Sequence, residues 1–519
     1  RTHATFLLHG VTGSGKTEVY LRAIEEALAA GRGAIVLVPE IALTPQTVGW
    51  FRSRFEHVCV LHSRMGDNQR LAEWRRLERG EARVVVGARS AIFAPVRDLG
   101  VIVVDEEHEP SFKQESVPRY HARDVAVERA RRANAVCLLG SATPALESWS
   151  AARAGRFELL ELPVRVGGGT KAVTHIVDMR LLSERARGSE LFSRLLTTYL
   201  GETLAAGEQA ILFLNRRGFV PLLWCPGCQT KVHCSRCSTA LTYHRRIRRL
   251  VCHSCCAERD VPGACPTCSR PGLRPVGIGS ERVEHELKAL VPGVRVARMD
   301  SDTMRRREDY ENTLEAFGRR ELDVLVGTQM IAKGLDFPRV TLVGILSADQ
   351  ALFLPDFRAE ERTFQLVSQV AGRAGRSSLR GRVVVQTTEP THFAIELGAR
   401  GDYAEFAARL LAQREERGYP PFGRLCRFLF EGKDEAETRA CGQRWTDELT
   451  AAFAGPGLEI LGPSPAPLAL LRGEFRFHTQ LTARPDDPRF QAAVDWSAAN
   501  HGRESRVAIK IDVDPAAML

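Results

Sequence analysis

The segment Gly10-Val-Thr-Gly-Ser-Gly15-Lys16-Thr17 follows a short apolar run, Thr5–Leu8, and opens a helix-like stretch from Glu18 to Ala30. Strand, glycine loop and helix in that order are what a phosphate cradle requires. Gly10, Gly13 and Gly15 free consecutive backbone N–H groups to turn toward one anion. Lys16 then reaches the β- and γ-phosphates, and the Thr17 hydroxyl holds Mg²⁺. Further along, Val101-Ile-Val-Val-Asp105-Glu106-Glu107-His108 reads as a buried strand tipped with acids. Asp105 is expected to complete the Mg²⁺ shell and Glu106 to orient and deprotonate the attacking water. The chemistry is hydrolysis of a nucleoside triphosphate.

Three other groups carry chemistry. Gln365-Leu-Val-Ser-Gln369-Val-Ala-Gly-Arg373-Ala-Gly-Arg376 reads as a helix ending in two arginines on one face. Arg373 and Arg376 are suited to fork onto a γ-phosphoryl group, with Gln369 on the nucleotide. Eight of the thirteen cysteines form C-x-x-C pairs: Cys225/Cys228, Cys234/Cys237, Cys252/Cys255 and Cys265/Cys268. Eight thiolates make two closed tetrahedral zinc sites with no open position for catalysis. His233, His244 and His253 read as structural beside them, and Cys256 as a spare ligand or an oxidisable thiol. Pro110–His121 is a loop whose Phe112, Lys113, Arg119 and Tyr120 combine aromatic faces with cations, the mixture that grips single-stranded nucleic acid regardless of base.

Positioning these residues takes a large α/β protein. The chain has 519 residues, enough for about three or four domains. The runs Ala34–Val38, Val58–Leu61, Val84–Val86, Val101–Val104 and Val136–Leu139 are nearly continuous in apolar residues, as in a parallel sheet covered on both faces. A second series starts at Gln209–Leu214, is interrupted by the cysteines, and resumes with Val294–Ala297, Val324–Val326, Val340–Leu346 and Val383–Gln386. The expected organisation is a lobe over 1–165, a second lobe over 166–224 and 270–395, a zinc insertion over 225–269, and an α+β domain over 396–519. A net charge of +9 suits a polyanion partner. No stretch is apolar enough to span a bilayer. The chain begins at Arg1, almost on the phosphate loop, so it reads as a fragment lacking its native N-terminus.

In this order the motifs resemble a superfamily 2 nucleic-acid helicase. Within it Asp105-Glu-Glu-His108, Gly87-Ala-Arg-Ser-Ala-Ile-Phe93, Phe213-Leu-Asn-Arg-Arg-Gly-Phe219, Asp356-Phe-Arg-Ala-Glu-Glu-Arg362, Tyr419-Pro-Pro-Phe422 and Asp512-Val-Asp-Pro515 are similar to the PriA (primosomal protein N′) replication-restart family. The resemblance implies two RecA-like P-loop lobes that trap ATP and Mg²⁺, and 3′→5′ unwinding of DNA at stalled forks. It also implies a role for the Pro110–His121 loop in sensing single-stranded DNA. It further implies nested zinc ligation: Cys225, Cys228, Cys265 and Cys268 on one ion, and Cys234, Cys237, Cys252 and Cys255 on the other. Implied partners are single-stranded and branched fork DNA, single-stranded-DNA-binding protein, other primosome proteins and the replicative helicase loader, in a bacterial cytoplasm close to the nucleoid. A fork-binding scaffold without turnover, and an RNA-directed helicase, are the alternatives. Two departures stand out. Leu335 replaces the family's usual His in Gly334-Leu-Asp336, and Gln229, Ser238, Cys256 and Ser269 stand where zinc knuckles often carry glycine.

Overall fold

The structure is a computed structural model. It describes all residues except 1–2, 41–44, 64, 167–171, 215–221, 229, 237–239, 245–247, 254, 276–279, 301–302, 305–306, 328–336, 373–380, 503–505 and 519. The chain divides into two compact units, one built on Arg1–Ala172 and the other on most of Val173–Leu519.

The first unit is a parallel sheet flanked by helices. Its elements are β1 (Ala4–Gly10), α1 (Lys16–Ala29), β2 (Gly33–Leu37), α2 (Pro45–Arg54), β3 (Val58–Leu61), α3 (Asp67–Arg79), β4 (Val84–Gly87), β5 (Leu99–Asp105), α4 (Ala122–Arg132), β6 (Val136–Ser141), α5 (Leu146–Arg153) and β7 (Glu158–Leu162). The sheet order is β3-β4-β2-β5-β6-β1-β7. All five residues of β2 are buried, as a doubly covered parallel strand demands. Tyr20, Leu21 and Ile24 of α1 pack on Val36, Val101 and Val103 to form the core of one face. Strand β7 escaped sequence reading because its pattern, Glu-Leu-Leu-Glu-Leu, is that of a half-exposed edge.

The second unit holds the rest: β8 (Val173–Asp178), α6 (Arg194–Ala205), β9 (Gln209–Phe213), β10 (Leu223–Trp224), β11 (Thr242–His244), β12 (Arg249–Val251), β13 (Glu258–Asp260), β14 (Arg274–Pro275), α7 (Ser280–Leu290), β15 (Val296–Met299), α8 (Arg307–Gly318), β16 (Val324–Gly327), β17 (Val340–Ile345), α9 (Ala359–Ala371), β18 (Arg382–Thr387), α10 (Phe393–Arg400), α11 (Tyr403–Glu416), β19 (Arg424–Gly432), α12 (Glu435–Phe453), β20 (Leu458–Leu471), β21 (Glu474–Ala483), α13 (Pro488–Asn500) and β22 (Val507–Val513). Its main sheet is parallel, in the order β15-β16-β9-β17-β18-β8. Strand β8 pairs with β18 at the edge of this sheet. The cysteine-rich insertion leaves and re-enters through the antiparallel pair β10–β14 and contains the small sheet β11-β12-β13.

The helical stretch expected from 396 to Arg417 is two helices, separated where Gly401 adopts φ 72°. Helix α11 packs on α9, where Phe364 stacks on Phe406 at 4.0 Å between ring centroids. The last sheet, β20-β21-β19-β22, is antiparallel. Alternation along β19 sends Cys426, Phe428 and Phe430 into a core with Trp445, Leu449 and Phe490. The opposite face carries Arg427, Glu431, Arg476, His478 and Gln480, all buried. Burying so polar a face requires partners. Arg476 Nε donates to Glu431 Oε1 at 3.1 Å, and Gln480 Nε2 donates to the His253 carbonyl at 3.0 Å, joining this sheet to the cysteine module.

Candidate functional site

Strands β1, β6 and β5 are in register so that Leu8, Gly140 and Asp105 lie side by side at their C-terminal ends. Ligands of open parallel sheets bind outside that edge. The loop after β1 turns through Gly13 (φ 81°) and Gly15 (φ 89°), left-handed values that favour glycine. At Gly10 a Cβ would lie 2.5 Å from Ser14 Oγ and 3.0 Å from Lys16 Cγ, so glycine is required for the loop to close. Lys16 and Thr17 begin α1, whose N-terminal end favours negative charge. Lys16 Nζ donates to the Gly10 carbonyl at 2.7 Å, which holds the ammonium inside the loop. Ser14 Oγ is buried without a hydrogen-bond partner. An orphaned hydroxyl, a glycine cradle and a helix N-terminus together fit a bound polyphosphate.

Asp105 receives a hydrogen bond from Tyr20 Oη at 2.9 Å. Burial first, and the Glu106 carboxylate second, push the Asp105 carboxyl up to about 6, against the opposing pull of Lys16. A bound Mg²⁺ would supply the missing positive charge, and a half-buried, charge-strained carboxylate fits it. Tyr20 occupies the space above Gly140, where a Cβ would come within 1.7 Å of its hydroxyl. Tyr20 and Gly140 are therefore one device, which motif reading alone did not reveal. Glu106 sits at φ 49°, a left-handed conformation uncommon for a residue with a side chain. Its Oε2 accepts no hydrogen bond, and His108 Nδ1 lies 3.5 Å away.

The remaining two letters of the motif are structural links. Glu107 is fully buried, accepts from the Ala145 N–H at 2.6 Å and Ser148 Oγ at 2.7 Å, and pairs with Arg123 at 3.3 Å. His108 Nδ1 and Ser141 Oγ are 2.7 Å apart. The Gly140-Ser-Ala-Thr-Pro144 segment is thus tied to the acidic strand. Arg123 also anchors α4, which begins where the Pro110–His121 loop ends.

That loop is a hairpin closed by a Lys113–His121 bridge and a Gln114 N–H to Tyr120 carbonyl bond of 2.8 Å. Arg89 Nη1 donates to the carbonyls of Ser111 and Lys113 and clamps its base. Phe112 is 1 % exposed and Lys113 is buried, so in this conformation neither offers a face to a base. Tyr120 is half-buried and meets Phe93 edge-on at 4.9 Å; Phe93 is 48 % exposed. Arg119 is half-buried and its Nε donates to the Glu115 carbonyl. Phe93 went unassigned in the sequence because an exposed phenylalanine has no spacing signature.

Among the cysteines, the sulfurs of Cys225, Cys228, Cys265 and Cys268 lie within 4.8 Å of one another, and so do those of Cys234, Cys252 and Cys255. Separations of 3.5, 3.6 and 3.8 Å match the roughly 3.8 Å edge of a tetrahedron with zinc–sulfur bonds of about 2.3 Å. The N–H groups of Arg236 and Thr267 point at Cys234 and Cys265 sulfurs at 3.4 Å. Cys256 and Ser269 hold φ 55° and 58°, so the knuckle turns keep their left-handed geometry without glycine. Among the described residues Cys256 lies outside both sulfur groups and donates to Ser464 Oγ. His244 and His253 are buried, with their Nε2 atoms 3.2 Å apart.

Gln369 lies half-buried in α9. Cys237, Leu335, Arg373 and Arg376 fall outside the described residues.

Three family models match this chain: DEAD/DEAH box helicase over residues 2–150, helicase conserved C-terminal domain over 278–378, and primosomal protein N C-terminal domain over 415–516. The replication restart protein PriA of Treponema pallidum is 43 % identical over 99 % of this chain and 77 % of its own length. The chain belongs to the PriA family. The PriA of Haemophilus influenzae is 41 % identical over 98 % of this chain and 69 % of that protein, and the PriA of Bacillus subtilis 46 % over 100 % and 64 %. The chain thus spans about two thirds of the PriA proteins it matches. RecG bound to a three-way DNA junction aligns over 78 % of this chain and 43 % of its own, at TM-score 0.44 and 18 % identity. The architecture is that of two RecA-like helicase lobes with parallel sheets, a cysteine-rich module and a C-terminal domain with an antiparallel sheet. The helicase domains imply ATP and Mg²⁺. No helix is long and apolar enough to cross a membrane among the described residues.

Proposed function

We propose that this chain is an ATP-dependent 3′→5′ DNA helicase that opens DNA at stalled replication forks and initiates restart. The observation that carries the reading is the meeting of a glycine phosphate loop, Lys16 and the Tyr20-held Asp105 at one sheet edge. That arrangement supports Lys16 and Thr17 on phosphates and Mg²⁺, Asp105 on Mg²⁺, and Glu106 as the base for water. Arg373, Arg376 and Gln369 are assigned to the γ-phosphate by motif. ATP bound there supplies the free energy. The residues of the chain bind it, orient the water and take its proton on a Glu106 oxygen.

The hairpin at 113–121 follows the acidic strand tip through one short turn, and Arg123 just beyond it pairs with Glu107, which supports a route from bound single strand to Glu106. Tyr120 and Arg119 are its proposed contacts, with Phe112 and Lys113 able to join only if the hairpin opens. Two Zn²⁺ ions, the outer one on Cys225, Cys228, Cys265 and Cys268 and the inner one on Cys234, Cys237, Cys252 and Cys255, are proposed to hold the module together. Family membership supports single-stranded-DNA-binding protein, other primosome proteins and the replicative helicase loader as partners, in a cytoplasm near the nucleoid.

The test is unwinding of labelled forks with a 3′ or a 5′ single-stranded arm, in DNA and in RNA. Opening of the 3′-armed DNA fork with ATP is expected. Equal opening of RNA would remove the DNA assignment, and opening of the 5′-armed fork alone would reverse the polarity.

A further inference from the structure

Two motifs singled out in the sequence have no place in the chemistry above: Asp356-Phe-Arg-Ala-Glu-Glu-Arg362 and Asp512-Val-Asp-Pro515. The structure ties the first to the residues that follow the second. Asp356 stands just before α9, and its side chain is sealed from solvent. It accepts from the Arg358 N–H at 3.0 Å and from the Met518 N–H at 3.0 Å, and pairs with Arg362 Nη1 at 2.9 Å. Arg362 also donates to the Ala516 carbonyl. One carboxylate and one guanidinium from the foot of α9 therefore hold both a donor and an acceptor of the backbone that follows β22. Met518 is itself buried.

A second contact fixes the same helix. Glu361 accepts from Arg414 Nη2 of α11 at 2.6 Å, and both side chains are almost wholly buried. Arg414 Nη1 reaches the Pro420 carbonyl, and Phe357 stacks on Tyr419 at 5.1 Å. The Tyr419-Pro-Pro-Phe422 motif is the other half of the mount. Helix α9 carries Gln369 and leads directly to Arg373. Ionic contacts buried this deeply fix one register, because a slip by one residue would strand charges.

We infer that Asp356 and Arg362 are positioning residues, and that the Ala516–Met518 backbone is a latch through which the C-terminal domain sets α9, the helix that carries Gln369. The inference rests on the ATPase reading for its consequence, though not for the contact itself.

The test is a pair of substitutions. Met518→Pro deletes the N–H donated to Asp356, whereas Met518→Ala keeps it. Amide hydrogen exchange over residues 359–371 and single-stranded-DNA-stimulated ATP turnover are measured on both. Met518→Pro is expected to raise exchange in α9 at least five-fold. It should lower kcat about ten-fold with KM for ATP within two-fold of wild type and zinc content unchanged. Met518→Ala should stay within two-fold of wild type in both readouts. Exchange in α9 equal to wild type in Met518→Pro overturns the latch, and so does an equal loss in Met518→Ala, which would make packing the cause. A rise in KM at constant kcat also overturns the positioning role. If Met518→Pro does not fold, Asp356→Asn against Asp356→Glu decides the same comparison. If wild type shows no turnover the ATPase reading fails, while the exchange measurement still judges the latch.

Discussion

At the scale of single residues, the acidic strand assigns different duties to adjacent carboxylates. Asp105 is half-buried beside Glu106, and desolvation together with that neighbour pushes its carboxyl up to about 6. A carboxyl raised on folding costs stability above its folded value, and the cost vanishes as pH falls toward its unfolded value near 4. Asp105→Asn should therefore raise the melting stability of the metal-free protein by about 1–3 kcal/mol at pH 7. The gain should fade between pH 6 and 4, and turnover should be lost throughout. Equal stability of variant and wild type at pH 7 would contradict the environment described for Asp105. Lys16, Asp105 and Glu106 were legible in sequence because spacing after an apolar run reports the strand tip. Tyr20, Glu107 and Arg89 were not, since their roles are three-dimensional. Tyr20 must span α1 to β5, and only the missing side chain at Gly140 leaves it room.

At the scale of elements, the cysteine module is fastened by a few polar contacts. Lys231 Nζ donates to Asp349 Oδ2 at 2.9 Å and Thr388 Oγ1 at 2.6 Å, and lies 3.6 Å from the Phe353 ring centroid. Both ends of the pair are buried. Removing one partner of such a pair strands the other charge, so Lys231→Ala should cost about 3–5 kcal/mol in urea denaturation. An unchanged midpoint would contradict it. The pair also holds the Asp349 carboxyl below its usual range, the Lys231 ammonium and the Thr388 hydroxyl outweighing burial. That stability is present at neutral pH and is lost as pH falls through the lowered value. For the metal sites, Cys265→Ser and Cys234→Ser should each remove one zinc per chain by elemental analysis. Strand separation should weaken and ATP turnover largely persist; collapse of turnover would make the module structural for its whole lobe. Paired C-x-x-C spacing marked these cysteines in sequence, and the turns at Cys256 and Ser269 keep their left-handed geometry without the glycines expected there. The direction of Cys256, toward Ser464, depended on where the C-terminal sheet docks and left no trace in local sequence.

At the scale of the molecule, most strands of both parallel sheets were legible because doubly buried strands are almost unbroken runs of Val, Ile and Leu. Edge strands β7 and β8 were not, since exposure dilutes that signal. The C-terminal domain was read only as mixed α and β, because its polar sheet face, Arg427 to Gln480, mimics a solvated surface while being buried. We propose that the chain as a whole is a motor driven by ATP hydrolysis at the edge of the first sheet. The most direct test is ATP turnover with and without single-stranded DNA, for wild type and Lys16→Ala at matched concentration. Turnover is expected to be stimulated by DNA in wild type and lowered at least a hundred-fold in Lys16→Ala, with both proteins melting alike. Equal turnover in the two would contradict it.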